Sequence, residues 1–538
     1  SFKVLTDSPL IVVVLLQSYN QFAKANLPGL LNVMVHSLNT RLPEHLFPHQ
    51  KQAYADLVTS QVKIASFLTY TLRAYADVVQ QYKDDIPLRV IELLFRCPKE
   101  CLSSRRELFV VMRHIFDTDL KERFARHMEN LLSDKALLGE SPTSIETLRP
   151  MAYSTIADLI HHVRAKLSIE QISKAVAFFT RNMYDATLSL NIQIMSAKLL
   201  VHLVETVFKM TQSSQAGGAG NTSAPIGGAF KAMLINIMQG FVAKFEALHN
   251  VYPGLAQADS THAIPGKDKD AEDPEGAGPT SHPLRDKKSD ADTLKDFKVL
   301  IKTLILGLKN VIYVLLTVYN TGSSHQANPY ILSGQLELQG SLKRLAPDEV
   351  KIFVRLFKTG IACFRSCCQC SSQDDVSVSE DKENMEQFAS LFTHLDSRTF
   401  SDIMHDQLPS LYECIIKNVA FLSVVTHFVA SNAVSKTFVD ILLGFLTKRM
   451  HRLADGPGPE AQTEAQFQLK LFKVILQSTM NYAQNIESVK AYMATIVTNC
   501  LKLSLKYRNS VKYYQVLVAL LRSTQSSKTS TVTTDQLQ

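Results

Sequence analysis

The chain has 538 residues, 46% hydrophobic and 20% charged, which is too long for one ordinary globular core and too apolar for wholesale disorder. Its net charge of +7 is small for the length and equals the seven cations between Ser488 and Thr534, a stretch with no carboxylate. The body is therefore not a general nucleic-acid-binding surface, and only the C-terminal end carries a basic field.

The chain opens without an initiator Met and runs from Ser1-Phe2-Lys3 almost directly into Ile11–Leu16, a start expected of a segment of a longer protein. That run has neither a basic n-region nor a cleavage site, and no stretch approaches the length needed to span a bilayer, so neither secretion nor a membrane is expected. Gln52–Tyr82 predicts a long helix. In Leu148–Val163 the apolar residues Leu148, Ala152, Ile156, Leu159, Ile160 and Val163 fall inside an arc of about 140°, one buried helical stripe. Pro150 is read as lying near the start of that helix, where a missing N–H costs little. Leu190–Val207 is apolar nearly all round, as expected of a helix covered on more than one side. Leu294–Tyr319, Glu349–Cys370, Ala465–Tyr482 and Val489–Leu505 repeat the amphipathic pattern, so the expectation is about twenty helices and almost no sheet.

Overlaying these helices yields a register. Phe109, Met112, Ile115 and Phe116 recur 44 residues later as Tyr153, Ile156, Leu159 and Ile160, and 44 later again as Ala197, Leu200, Leu203 and Val204. One step back gives Ala65, Leu68, Thr71 and Leu72, and one step forward fails at Lys244. A period near 44 is that of HEAT or armadillo helix pairs, which cannot bury their apolar faces alone and stack into an all-α solenoid. Composition places the breaks. Gln212–Pro225 is Ser/Gly/Ala-rich, His249–Asp292 is rich in Pro, Gly, Asp and Lys, and Ser371–Ser379, Asp455–Pro459 and Ser523–Gln538 are shorter versions. The predicted organisation is an N-terminal array over 1–248, an insertion over 249–292, a C-terminal array over 293–522 and a tail over 523–538.

Three segments carry a family resemblance: Ser1–Val12 (SFKVLTDSPLIV), Cys97–Leu108 (CPKECLSSRREL) and Glu146–Arg164 (ETLRPMAYSTIADLIHHVR). With Ser189–Glu205, Phe297–Tyr313 and Arg398–Glu413, they resemble the HEAT-repeat region of the TRRAP family and its fungal counterparts. The resemblance implies a non-catalytic member of the phosphoinositide-kinase-related family. It implies a nuclear coactivator shared by SAGA-type and other histone acetyltransferase complexes, whose helical arrays receive activation domains of transcription factors. Its partners would be acidic activation domains, other subunits of those complexes and the C-terminal remainder of its own chain.

Candidate chemistry is sparse. Eight cysteines form no disulfide framework and point to a reducing compartment. Cys363, Cys367 and Cys370 share the helix face of Ile352, Phe353 and Leu356 and read as core thiols rather than zinc ligands. His161-His162 lies outside the buried stripe and reads as solvent-facing or partner-contacting. Asp268, Asp270, Glu272 and Asp273 suggest a calcium loop, but Asp273 and Pro279 occupy the positions that need Gly and Glu. There is no glycine-rich phosphate loop, H-R-D, D-F-G or Walker sequence; neither enzyme activity nor a cofactor is expected.

Two basic groups remain. Arg105, Arg106 and Arg113, with Lys99, form a cluster in which Arg106 and Arg113, seven apart, share a helix face. Under the resemblance they are a candidate rim for an acidic activation domain; the plainer reading is solvated surface or intrachain ion pairs. Lys502, Lys506, Arg508 and Lys512 lie among Tyr507, Tyr513 and Tyr514, a mixture compatible with nucleic acid, although acidic neighbours in the rest of the protein are the favoured partner. A nuclear-transport receptor would also be a HEAT array, but it should show acidic inner helices. The helical part of an active kinase of the same superfamily would be told apart by sequence beyond Gln538.

Overall fold

The computed structural model describes residues 11, 15, 18–41, 50–74, 80–98, 101–139, 142–216, 223–260, 290–316, 345–370, 375–454, 458–507 and 509–525. Among them are twenty α-helices, short 3-10 turns and no β-strand. None of these helices is long and apolar enough to cross a membrane. The chain divides into two compact units, Ser1–Ser223 and Ala224–Gln538.

The first unit contains α1 (Asn20–Leu38), α2 (Lys51–Ala74), α3 (Asp85–Arg96) and α4 (Leu102–Phe116). Three short helices follow, α5 (Lys121–Phe124), α6 (Met128–Leu131) and α7 (Asp134–Leu138), and then α8 (Pro142–Val163), α9 (Ile169–Tyr184) and α10 (Leu190–Ala216). Helices α2, α4, α8 and α10 stack side by side in one layer, while α1, α3, the short helices and α9 build the other. This is the layered arrangement that the 44-residue register requires. The three register sets of α4, α8 and α10 are all buried, as are Ala65, Leu68 and Thr71 of α2.

Polar contacts between neighbours in that layer keep nearly the same offset. Ser66 Oγ donates to Glu107 Oε1 at 2.8 Å, Arg113 Nε donates to Thr155 Oγ1 at 3.1 Å, and the rings of His161 and His202 lie 5.1 Å apart. Helix α9 starts on a capping box in which Ser168 and Gln171 satisfy each other's backbone N–H. The Gln171 side chain also donates to the Ala125 carbonyl at 2.9 Å, tying that start to the preceding repeat. Pro150 lies in the interior of α8, which begins at Pro142 rather than beside Pro150. It faces solvent, the side on which a helix best tolerates a missing backbone bond.

The second unit contains α11 (Ser223–Ser260), α12 (Asp290–Val314), α13 (Pro347–Cys370), α14 (Asp375–Ser390) and α15 (Ser397–Lys417). It continues with α16 (Leu422–Ala430), α17 (Ser435–Lys448), α18 (Pro459–Asn481), α19 (Gln484–Lys506) and α20 (Val511–Gln525). Among the described residues the helices alternate: α12, α14, α16, α18 and α20 form one layer, and α13, α15, α17 and α19 the other. Edge-on aromatic contacts knit the layers, with Phe357 against Phe392 at 5.0 Å and Phe428 against Phe400 and Phe438 at 5.2 and 5.1 Å.

Helix α11 belongs with this unit, not with an N-terminal array ending at 248. Lys231 pairs with Glu349 at 2.6 Å, Phe245 packs on Phe388, and the His249 ring meets Ser366 Oγ at 2.9 Å. Lys244, where the register failed, is buried nonetheless, and burial pushes its ammonium down to about 8.

Helices extend into most of the segments that composition marked as breaks. Residues 212–216 and 223–225 are helical, as are 249–260, 290–292 and 375–379. Small polar residues next to a packed helix still take its conformation, because composition reports weak propensity while tertiary packing decides. The remainder of the insertion, 261–289, and the tail from 526 lie outside the described residues, as does the acidic stretch Asp268–Asp273.

Candidate functional site

The three N-terminal arginines have three different fates. Arg105 is only 3% exposed. It donates to the carbonyls of Ala136 (2.7 Å) and Leu137 (3.2 Å) at the end of α7, and to that of Cys97 (2.9 Å) just after α3. It is a clamp on two helix C-termini, where carbonyls have no intrahelical partner, and burial lowers its pKa. Arg105 is therefore not a partner-facing residue. Arg113 is half-buried, bonded to Ser154 and Thr155 and paired with Asp158 at 3.6 Å, so its charge is spent within the chain.

Arg106 alone stays exposed. It borders a 430 Å³ groove between α2 and α4 that Ser66, Thr69, Glu107, Val110 and His114 also line. Glu107 offsets its charge there, so the groove is close to neutral, and most of its accessible lining is apolar.

Of the C-terminal group, Lys502 and Lys506 of α19 are exposed, the Lys506 ammonium 5.8 Å from the Tyr507 ring centroid. Lys512 is half-buried, and Arg508 lies outside the described residues. Lys502, Lys506 and Lys512 do not line the groove nearby, a 580 Å³ cleft between α18 and α20. Its floor and walls are Leu476, Met480, Val511, Tyr514, Val518 and Ala519, its cations are Lys473 and Arg522, and no carboxylate lines it. Met480, Val511, Tyr514 and Val518 are each close to half exposed, an unusual concentration of large apolar side chains. The sequence reading found the basic field but missed Lys473 and the apolar floor. The signal was present: Val511, Tyr514 and Val518 stand on one helix face, while Tyr513, Val516 and Leu520 occupy another.

The other candidates are structural. Cys363 and Cys367 are buried, and burial raises the Cys363 thiol well above its ordinary value, so it is a core group; the Cys370 side chain lies outside the described residues. Among the described residues no three His, Cys, Asp or Glu side chains are grouped to hold a metal. His161 and His162 are exposed, and burial followed by Arg164 and His202 lowers the pKa of His161. What the arrangement can do is bind: cations at the edge of an apolar cleft attract an acidic, amphipathic segment.

The profile of the Tra1 HEAT repeat central region matches residues 53–537. The chain belongs to that family. Its relatives include a probable transcription-associated protein 1 of Dictyostelium discoideum, 29% identical over 89% of this chain and 10% of that protein. The transformation/transcription domain-associated protein of Danio rerio is 29% identical over 97% of this chain and 14% of its own length. The Schizosaccharomyces pombe protein named SAGA complex/NuA4 acetyltransferase complex subunit Tra1 is 28% identical over 98% of this chain and 15% of its own. The chain thus spans less than a fifth of the length of each of these relatives. The match runs through both layered units, and both grooves lie inside it.

Proposed function

We propose that this chain is a non-catalytic scaffold segment of a nuclear transcriptional coactivator. It brings histone acetyltransferase complexes to promoters by receiving acidic activation domains. The observation that carries the reading is the α18/α20 cleft, an apolar floor edged by Lys473 and Arg522 without a carboxylate, on a chain with relatives named as SAGA and NuA4 subunits. Activation domains lose ordering entropy on docking, so affinity is about micromolar. Exposed Arg522 and half-buried Lys473 speed encounter in a salt-dependent way. Exposed Lys502 and Lys506 are contacts for acidic surfaces in other subunits or in the rest of its own chain.

The test is purification of the epitope-tagged full-length protein from nuclei, followed by capture on an immobilised acidic activation domain. The reading predicts that histone acetyltransferase activity co-purifies and is retained, and that it elutes as salt is raised. Purified protein without acetyltransferase activity, or activity that the activation domain does not retain, would contradict it.

A further inference from the structure

Helix α20 has two apolar faces. Tyr513, Val516 and Leu520 turn inward and are fully buried, whereas Val511, Tyr514, Val518 and Leu521 are exposed, Val511 the most so at 58%. At 100° per residue the second set lies about 150° round the helix from the first. Its spacing of three, four and three residues is the a/d seam of a coiled coil, which accepts knobs from another helix rather than an extended strand. Across the cleft α18 presents Met480, with the fully buried Leu476 one turn away beneath it.

The charge around the cleft is one-sided. From Ala465 to Thr534 there are nine Lys and Arg residues and a single carboxylate, Glu487, and Glu487 is paired with Lys436 at 2.5 Å. A complementary helix therefore carries acidic residues beside its apolar stripe. The stretch that directly follows α20, Ser526–Gln538, offers only Val532 and Leu537 as large apolar residues, too few for a seam of four.

We infer that the α18/α20 cleft is the docking site for an acidic amphipathic helix of a separate polypeptide, which folds as it binds alongside α20. The inference rests on the activation-domain reading above and adds the location, the bound conformation and the residues. Apolar side chains of the incoming helix interdigitate with Val511, Tyr514, Val518 and Met480, and its carboxylates meet Lys473 and Arg522.

The experiment titrates the full chain into a labelled peptide about three heptads long, with Leu at the seam positions and Glu elsewhere. The comparison peptides are one with its Leu positions scrambled and one with Lys for Glu. The protein variants are Tyr514→Ser/Val518→Ser, Lys473→Glu/Arg522→Glu and, in the other groove, Arg106→Glu. Their substituted side chains are partly or wholly exposed, and thermal denaturation checks that each folds. The expected result is binding by wild type with a gain of peptide helix by circular dichroism. Loss of about ten-fold or more in affinity is expected for both comparison peptides and both double variants, with Arg106→Glu unchanged. Wild-type binding that survives both double variants but falls with Arg106→Glu overturns the location and leaves the activation-domain reading standing. Binding without a gain of helix overturns the bound conformation. No binding by wild type at all overturns that reading together with the site.

Discussion

Arg105 and Arg106 are neighbours in sequence with opposite roles, and the difference is measurable. Truncating Arg105 strands three carbonyls at two helix ends, so Arg105→Ala is expected to cost about 2–4 kcal/mol in urea denaturation of the first unit. Arg106→Ala should stay within about 0.5 kcal/mol. Equal effects of the two would contradict the clamp. The distinction was legible in principle. Arg105 lies three, four and seven residues before Leu108, Phe109 and Met112, on the buried face, whereas Arg106 is turned off it. Arg113 was legible too, since one 44-residue step lands beside Asp158, its partner. What periodicity hides is the chemistry that makes burial tolerable: only the fold reveals free carbonyls waiting for a guanidinium.

Lys244 makes the complementary case. Its folded pKa, about 8, lies below the ordinary 10.5, so the unfolded chain binds the proton more tightly. Stability of the second unit therefore rises as pH climbs from about 8 to about 10.5, and the penalty is complete at neutral pH. Lys244→Met should stabilise that unit at pH 7 by up to about 3 kcal/mol, with the gain shrinking towards pH 10. A gain that does not change with pH would mean that desolvation of the ammonium is not its source.

Among the elements, side-chain amides recur at the ends of paired helices. Gln61 Nε2 donates to the carbonyls of Ser37, in the last turn of α1, and Thr40, just beyond it, Gln193 to Leu188 after α9, and Gln468 to Arg449 after α17, at 2.8 to 3.0 Å. Each closes the first helix of a pair from the second, a device that no hydrophobic pattern registers. Glycines separate the two pressures on a helix. A Cβ at Gly360 of α13 would overlap the Phe388 ring, whereas one at Gly29 of α1 would meet nothing within 4 Å. Gly360→Ala should lower stability by about 1–3 kcal/mol despite the better propensity of Ala. Gly29→Ala should raise it by about 0.5–1 kcal/mol. Thermal denaturation of the pair reads both signs, and a stabilising Gly360→Ala would contradict the packing of α13 on α14. The double-faced α20 was the element least legible from sequence, because eight large apolar or aromatic residues between Val511 and Leu521 blur into one run until burial separates the faces.

At the scale of the whole chain, the repeat period was the legible quantity and the unit boundary was not. A spacing of 44 residues placed α2, α4, α8 and α10 in a single layer, because helix pairs that bury one another must recur at the length of the pair. Composition marked a break over 212–225, yet the N-terminal array was extended to 248, since α11 continues the helical pattern; its contacts with α13 and α14 join it instead to the following repeats. The insertion gives a test at this scale. Residues 261–289 carry hardly any large apolar side chain, so replacing them with a Gly/Ser linker removes little burial and should leave the melting temperature unchanged. Removal of 249–260 as well cuts into α11, and it should lower that temperature. A fall of many degrees on replacing 261–289 alone would make those residues part of the core.

Recognition at a cleft edged with cations leaves a footprint in backbone exchange. It is tested most directly by hydrogen–deuterium exchange on the full-length protein with and without an acidic activation domain. The account predicts new protection over residues 473–480 and 511–522 that fades as salt is raised. Unchanged exchange in both segments, with the activation domain at saturating concentration, would contradict it.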